Sequence, residues 1–374
     1  MSAGGRYRSL VARAPAKVNL VLEVNGRRPD GYHELRSVLA PLALHDTLSV
    51  RARAVPPGAG VADTLAIDGA PDVPVEGNLV LRASALLRAS AMAYAPAAPM
   101  GPTARAPGRA RPAARLAPLA FHLRKRIPAA AGLGGGSSDA LAALDLAAAA
   151  WGIRLSGRRR LELGAMLGSD VPFFAVGGWA LVGGRGERLR RLPPPADGPL
   201  GVLLVVPAAR LSTRDVFAAF DAAGGGEPGG PRGPRSRSQS GRDGTVAPGT
   251  LAPARRSAAR LAALLRGGAS AATIAAIEPV NDLLPAAIGV LAGLARLRDE
   301  LAAELDRPVH LSGSGPSLVL LYPSPREAHA AAAVARDAAA RGRLHAPGGT
   351  LDILPTATGD VTPTGDTAPT GGDS

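Results

Sequence analysis

The chain has 374 residues, 46% of them hydrophobic, enough to bury a core as one large domain or two ordinary ones. It carries a formal net charge of +13 and no cysteine, which excludes disulfides, thiolate catalysis and cysteine-based zinc or iron–sulfur sites. No apolar run is long enough to span a membrane, and the first residues lack the basic-then-apolar layout of a signal peptide, so a cytoplasmic protein is expected.

The charge does not point to nucleic acid. Much of the excess lies in two stretches rich in Pro, Gly, Ser and Ala. One runs from Arg105 to Arg115, and the other holds Arg232, Arg235, Arg237, Arg242, Arg255, Arg256 and Arg260. Neither offers aromatic rings for stacking on bases, and both read as solvated insertions. A basic site for an anionic small molecule accounts for the balance equally well. Only two of the 43 basic side chains are lysines, Lys17 and Lys125. A lysine kept against such a bias toward arginine suits a place where a compact ammonium is needed.

In chain order, Val11–Val24 alternates and predicts a strand with Lys17 and Asn19 on one face. A turn-rich loop, Asn25-Gly26-Arg27-Arg28-Pro29-Asp30-Gly31, leads to Tyr32 and His33. Strands are expected near Arg36–Leu44 and Thr47–Ala54, and a helix over Asn78–Ala91. Residues 95–118 read as a low-complexity insertion. Phe121–Ile127 is a predicted strand, Asp139–Trp151 an Ala/Leu-rich helix, Ser156–Leu167 a second helix and Phe173–Val182 a strand. The tight turn Gly183-Gly184-Arg185-Gly186 follows. Pro193-Pro194-Pro195 marks a domain boundary, giving an N-terminal domain over 1–198 and a C-terminal one over 199–357. The second domain opens with a strand, Gly201–Val206, and a helix from Ser212 or Thr213. Residues 222–253 offer almost nothing to bury and read as disordered. Helices at Ala258–Leu265 and Pro285–Leu305, strands at Val309–Ser312 and Leu318–Tyr322 and a helix at Arg326–Ala340 follow. A disordered tail is expected beyond Pro355, with 358–374 outside both domains.

The strongest chemical signal is Pro128-Ala129-Ala130-Ala131-Gly132-Leu133-Gly134-Gly135-Gly136-Ser137-Ser138. Its glycines let backbone N–H groups converge on a ligand, and a helix N-terminus follows at once, a geometry that binds phosphate. It is not a Walker loop, because Gly136 precedes Ser137 rather than Lys, and it lacks the spacing of a dinucleotide fingerprint. Lys125 shares a strand face with Phe121, Leu123 and Ile127. Its ammonium either turns inward toward a phosphate or nucleotide edge, or snorkels to the surface. Gly168-Ser169-Asp170-Val171-Pro172 holds an Asp beside Phe173 and Phe174, where burial near an apolar wall would suit a base that takes a hydroxyl proton. Lys17 could orient Asp170 and the acceptor hydroxyl, since phosphoryl transfer needs positioning and charge stabilisation above all. Tyr32 and His33 could stack on, and hydrogen-bond to, a base or sugar.

Together these motifs resemble the GHMP kinases. Pro15-Ala16-Lys17-Val18-Asn19-Leu20, Pro128–Ser138 and Leu311-Ser312-Gly313-Ser314-Gly315-Pro316-Ser317 look like that superfamily's three motifs, in its order. Within it, Arg28-Pro29-Asp30-Gly31-Tyr32-His33-Glu34-Leu35 and Leu167-Gly168-Ser169-Asp170-Val171-Pro172 are similar to the 4-diphosphocytidyl-2-C-methyl-D-erythritol kinases. The resemblance implies an α+β fold of two domains with the active site in the cleft between them, and ATP and Mg²⁺ as cofactors. The acceptor would be a cytidine diphosphate-linked methylerythritol; no nucleic-acid or membrane partner is expected. It implies Lys17 and Asp170 as the catalytic pair and Pro128–Ser138 as the ATP phosphate loop, with Asn78 near the adenine. Tyr32 and His33 would hold the cytosine with Asn19 nearby, and Phe217, in a looser motif, would take its other face. Gly313–Ser317 would line the site from the second domain. The magnesium ligands are not singled out. The alternatives are another GHMP small-molecule kinase, or a nucleic-acid-binding protein on a degenerate kinase core.

Overall fold

The computed structural model describes residues 9–53, 62–93, 116–225 and 257–359. Most of the expected insertions at 95–118 and 222–253, and the expected tail from 360 onward, lie outside those residues. So do the arginines of both clusters except Arg260.

Two long antiparallel strands open the fold, β1 (Leu10–Arg27) and β2 (His33–Ala52). β2 is one continuous strand where two were expected. The pairing of β1 with β2 shifts register between Pro15 and Lys17 and again between Asn19 and Val21. Such irregularities re-aim side chains, and here they bracket Lys17 and Asn19. Both faces of β1 are covered from Ala14 to Val24, so Lys17 and Asn19 are buried polar groups rather than one wet face of a strand.

β3 (Thr64–Asp68), unforeseen in the sequence, pairs with β4 (Leu119–Arg124). Between them lies α1 (Leu79–Ala93), whose start is held by Asn78 Oδ1 accepting from the Val80 N–H at 3.0 Å. α2 (Gly135–Trp151) begins four residues earlier than expected, so Gly135, Gly136, Ser137 and Ser138 form its first turn. α3 (Gly157–Leu167) follows, capped by Ser156. The expected strand from Phe173 to Val182 is instead α4 (Val171–Val176) and then β5 (Trp179–Gly184). Pro172 sits in the first turn of α4, where its missing N–H costs nothing. Gly177 and Gly178, at φ 70° and 69°, end the helix. β6 (Arg188–Leu192) is part of a seven-stranded sheet, in which β3-β4-β2-β1 run in order, a short later strand pairs with β1, and β5 and β6 continue from β2.

The second sheet is β11-β7-β10-β9, built from β7 (Gly201–Pro207), β9 (His310–Leu311), β10 (Leu318–Tyr322) and β11 (Leu351–Ala357). With this half go α5 (Thr213–Ala222), α7 (Ala271–Ala275) and α10 (Pro325–Ala340), while α6 (Ser257–Arg266) packs on β1, β2, β5 and β6 of the first sheet. The expected helix Pro285–Leu305 is two, α8 (Leu284–Val290) and α9 (Leu294–Leu305), parted by Gly293 at φ 88°. β8 (Val280–Asn281) crosses to the first sheet, parallel to β1. Thr356 and Ala357, just beyond Pro355 where a disordered tail is expected, are instead part of β11. Thr358 is buried, its Oγ1 accepting from the Leu200 N–H at 3.0 Å.

This is an α+β fold of two sheet-centred halves. One buried cluster joins Ala16, Val18 and Leu20 of β1 to Val202 and Leu204 of β7 and Val319 of β10. Among the described residues no helix is long and apolar enough to cross a membrane.

Candidate active site

The glycine loop lies where the two halves meet. Its backbone is tied to β1 by the Lys17 N–H, which donates to the Leu133 carbonyl at 2.9 Å. From the other half, Ser312 Oγ donates to the Gly132 carbonyl at 3.1 Å and Ser317 Oγ to the Ala131 carbonyl at 2.6 Å. Gly132 has φ 74°, and a Cβ there would stand 2.3 Å from the Ser312 carbonyl oxygen. Gly134 (φ 71°) would press a Cβ to 2.9 Å from Lys17 Cγ. Both positions therefore need glycine for conformation and for space. The first N–H groups of α2 have no partner within the helix and carry the positive end of its dipole. The result is an anion cradle assembled from backbone.

Lys17 is 4% exposed. Its Nζ donates to Asn19 Oδ1 at 2.6 Å, Asn19 Nδ2 to Ser37 Oγ at 2.8 Å, and Ser37 Oγ to the Val21 carbonyl at 2.6 Å. This chain holds the ammonium in one place, and Ser37, which no sequence motif marks, is part of it. Asp170 Oδ2 is 3.6 Å from Lys17 Nζ. Asp170 stands at the N-cap of α4 yet makes no capping bond, so its carboxylate is left for the cleft. The apolar wall expected beside it exists, with Phe173 and Phe174 buried behind. The Asp170 side chain itself is 41% exposed, however, not buried against that wall. The Gly183–Gly186 turn packs close by: a Cβ on Gly186 would stand 2.3 Å from the Ser169 carbonyl oxygen.

Lys125 has turned inward, but its partners are carboxylates rather than open space for phosphate. Its Nζ lies 2.5 Å from Asp46 Oδ2 and 2.9 Å from Asp139 Oδ2. Burial works against the ammonium, but Asp139 and Asp46 outweigh it and the Lys125 pKa is raised. Burial, opposed by Lys125 and reinforced by Asp46, pushes Asp139 up to about 7. Asp46 also accepts from the Arg126 and Ile127 N–H groups, anchoring the chain as it enters the loop. This trio is a buried support under the loop. Asp46 belongs to no local motif, and Asp139, next to Ser138, reads in the sequence as a helix residue, so neither acid is singled out there.

Tyr32, His33 and Phe217 come together from opposite halves. The rings of His33 and Phe217 stack with centroids 4.7 Å apart at 28°. His33 Nε2 is 2.7 Å from Asp221 Oδ1. One face of Phe217 is thus covered by His33, and the ring also packs against the buried cluster that holds Val216 and Leu283. Tyr32 is half exposed, with the Arg185 guanidinium 4.5 Å from its ring centre. Lys17, Asn19, Tyr32, His33, Asn78, Lys125, residues 128–137, Asp170, Phe217, Gly313 and Ser314 all line one cleft of about 1020 Å³. Ser138 does not line it; its Oγ is buried without a partner. Asn78 is occupied in starting α1, with Nδ2 donating to the Pro74 carbonyl at 3.1 Å.

Over 333 residues the chain is 35% identical to a 4-diphosphocytidyl-2-C-methyl-D-erythritol kinase of Streptomyces coelicolor, covering 88% of this chain and 92% of that one. The chain belongs to the 4-diphosphocytidyl-2-C-methyl-D-erythritol kinase family. A second member, from Pelotomaculum thermopropionicum, is 42% identical over 211 residues, 56% of this chain and 63% of its own length. Residues 103–178, which contain the glycine loop and Asp170, match the GHMP kinases N terminal domain. The crystal structure of a 4-(cytidine 5'-diphospho)-2C-methyl-D-erythritol kinase superposes with a TM-score of 0.59 at 28% identity, over 94% of this chain and all of that one. The kinase family thus extends across both halves of the fold, including the wall that carries Phe217.

Proposed function

We propose that this chain transfers the γ-phosphoryl group of ATP to the 2-hydroxyl of 4-diphosphocytidyl-2-C-methyl-D-erythritol, a step in non-mevalonate isoprenoid precursor synthesis. One observation carries the reading. A Lys17–Asp170 pair faces the same cleft as a backbone anion cradle and an aromatic pocket. The cradle suits the ATP phosphates, and Tyr32, His33 and Phe217 suit the cytosine. The acceptor hydroxyl would then lie between them, beside Asp170.

In this reading Asp170 accepts the hydroxyl proton as the oxygen bonds the γ-phosphorus, and the bond to the β-phosphate oxygen breaks to release ADP. Lys17, held by Asn19, offsets negative charge developing on the transferred group. Among the described residues no cluster of three or more His, Cys, Asp or Glu could hold a metal ion. Magnesium needs few protein ligands when phosphates supply the rest. The unpartnered Asp139 Oδ1 at the start of α2, in a residue that lines the cleft, would fit a magnesium arriving with ATP, whereas Ser138 lies outside the lining. Such an ion would neutralise phosphate charge.

The test is a phosphate-transfer assay with purified protein, ATP and a panel of acceptors. The cytidine diphosphate-linked methylerythritol should be phosphorylated, and homoserine and mevalonate should not. Turnover of either of those in its place would assign a different GHMP activity. Tight, salt-sensitive nucleic-acid binding without any transfer would overturn the kinase reading altogether.

A further inference from the structure

We propose that Asp221 is a positioning residue that fixes the hydrogen-bonding sense of His33, and so makes the acceptor pocket prefer a base bearing an exocyclic amino group. The proposal rests on the reading that a cytidine-bearing acceptor binds beside His33.

The observation begins with α5. Thr213, Phe217 and Asp221 are spaced four residues apart and so share one helix face, and all three line the cleft. Each makes a different contact there. Thr213 Oγ1 lies 2.8 Å from Ser314 Oγ and pins the start of the helix to the third motif. Phe217 stacks on His33, and Phe220 meets the same imidazole edge-on at 6.1 Å. These two rings set the plane of His33. Asp221 sets which edge faces where, through the 2.7 Å contact to Nε2.

An ionised carboxylate can only accept a hydrogen bond, so Nε2 must carry a proton. In the neutral imidazole the other nitrogen, Nδ1, is then bare and an acceptor. Nδ1 has no hydrogen-bond partner among the described residues. It is free to receive an N–H from a ligand. Cytosine presents an amino donor at the position where uracil presents a carbonyl oxygen. A bare Nδ1 pairs with the first and faces the lone pairs of the second. A site that offers an acceptor discriminates against an analogue without the matching donor, because lone pair then faces lone pair. The side chain of His33 is 9% exposed as a whole, while Nδ1 is not among the sealed-off buried atoms and so can be reached by a ligand.

Asp221→Asn tests this directly. The amide keeps the size of the carboxylate but can donate to Nε2, which releases the opposite tautomer and turns Nδ1 into a donor. The wild type, Asp221→Asn and Asp221→Ala are assayed at pH 8 with cytidine and uridine diphosphate-linked methylerythritol, and KM and kcat are measured for each acceptor and for ATP. The wild type should favour the cytidine compound. In Asp221→Asn the ratio of the two kcat/KM values should fall at least roughly tenfold, about 1.4 kcal/mol. The change should sit in the acceptor KM, with KM for ATP unaltered. Asp221→Ala should lose selectivity without reversing it. Circular dichroism checks that the fold is kept, as expected for a side chain still 27% exposed. An unchanged ratio in both variants, with the cytidine compound turned over normally, removes the role of Asp221 and leaves the kinase reading intact. A wild type that phosphorylates neither acceptor overturns both.

Discussion

The two walls of the cleft are made differently. The glycine-loop wall is backbone, buried and cross-tied. Gly132 and Gly134 have no room for a Cβ, Lys17 is held by a chain of three hydrogen bonds, and Ser312 and Ser317 of the other half clasp the loop. The wall proposed to hold the acceptor is a set of side chains on a loop and one helix face, with Tyr32 half exposed. A preorganised backbone cradle suits a ligand part common to many kinases, the polyphosphate. Separate side chains can be exchanged without disturbing that cradle, which is how one fold accepts different acceptors. Damage to the first wall should therefore appear in chemistry or ATP affinity, and damage to the second in acceptor affinity.

The largest effect should come from the junction of the walls. Asp170→Asn is expected to lower kcat by about 10²- to 10⁴-fold, the usual cost of losing a general base, while ATP still binds by calorimetry. A kcat near wild type would remove Asp170 from the chemistry. Gly134→Ala comes next. It forces a left-handed backbone on alanine and drives its Cβ against Lys17. We expect kcat/KM for ATP to fall roughly tenfold or more, about 1.4 kcal/mol, with circular dichroism unchanged. Unaltered ATP kinetics would mean that the loop tolerates repositioning. Gly135 is a milder target, because its φ is not left-handed and its nearest neighbours are the Ile127 and Lys125 side chains.

A smaller effect concerns the strand that leads into the third motif. His310 is buried, neither ring nitrogen has a side-chain partner, and burial lowers its pKa to about 4. The unfolded chain takes up that proton near pH 6.5 and the folded one only near 4, so stability falls as pH drops through that window. Thermal melts of His310→Leu should show less acid sensitivity between pH 6.5 and 4 than wild type. Equal sensitivity would place the acid response elsewhere.

These differences also explain what the sequence could reveal. The glycine loop and Gly168–Pro172 are continuous segments, so their chemistry could be read locally. Asp46, Ser37 and Asp221 act on residues far away in the chain and carry no motif of their own. Phe173–Val182 has the aromatic and β-branched composition of a strand, but Pro172 and the Gly177-Gly178 pair make its first part a helix. The end of β11 was hidden by polar composition. Thr356 and Thr358 face inward and use their hydroxyls to accept backbone N–H groups from Leu44 and Leu200. The long helix expected over Pro285–Leu305 breaks at Leu291, which turns to extended backbone, and α9 starts again from Gly293 in a left-handed conformation; apolar periodicity reports neither.

The division between the walls is tested most directly by measuring both Michaelis constants of Tyr32→Ala. Stacking of a base on an aromatic side chain is worth about 1–3 kcal/mol, so KM for the cytidine-bearing acceptor should rise roughly tenfold or more, with KM for ATP unchanged. A rise in KM for ATP with the acceptor unaffected would mean that the two nucleotides occupy the opposite walls, and would contradict the account.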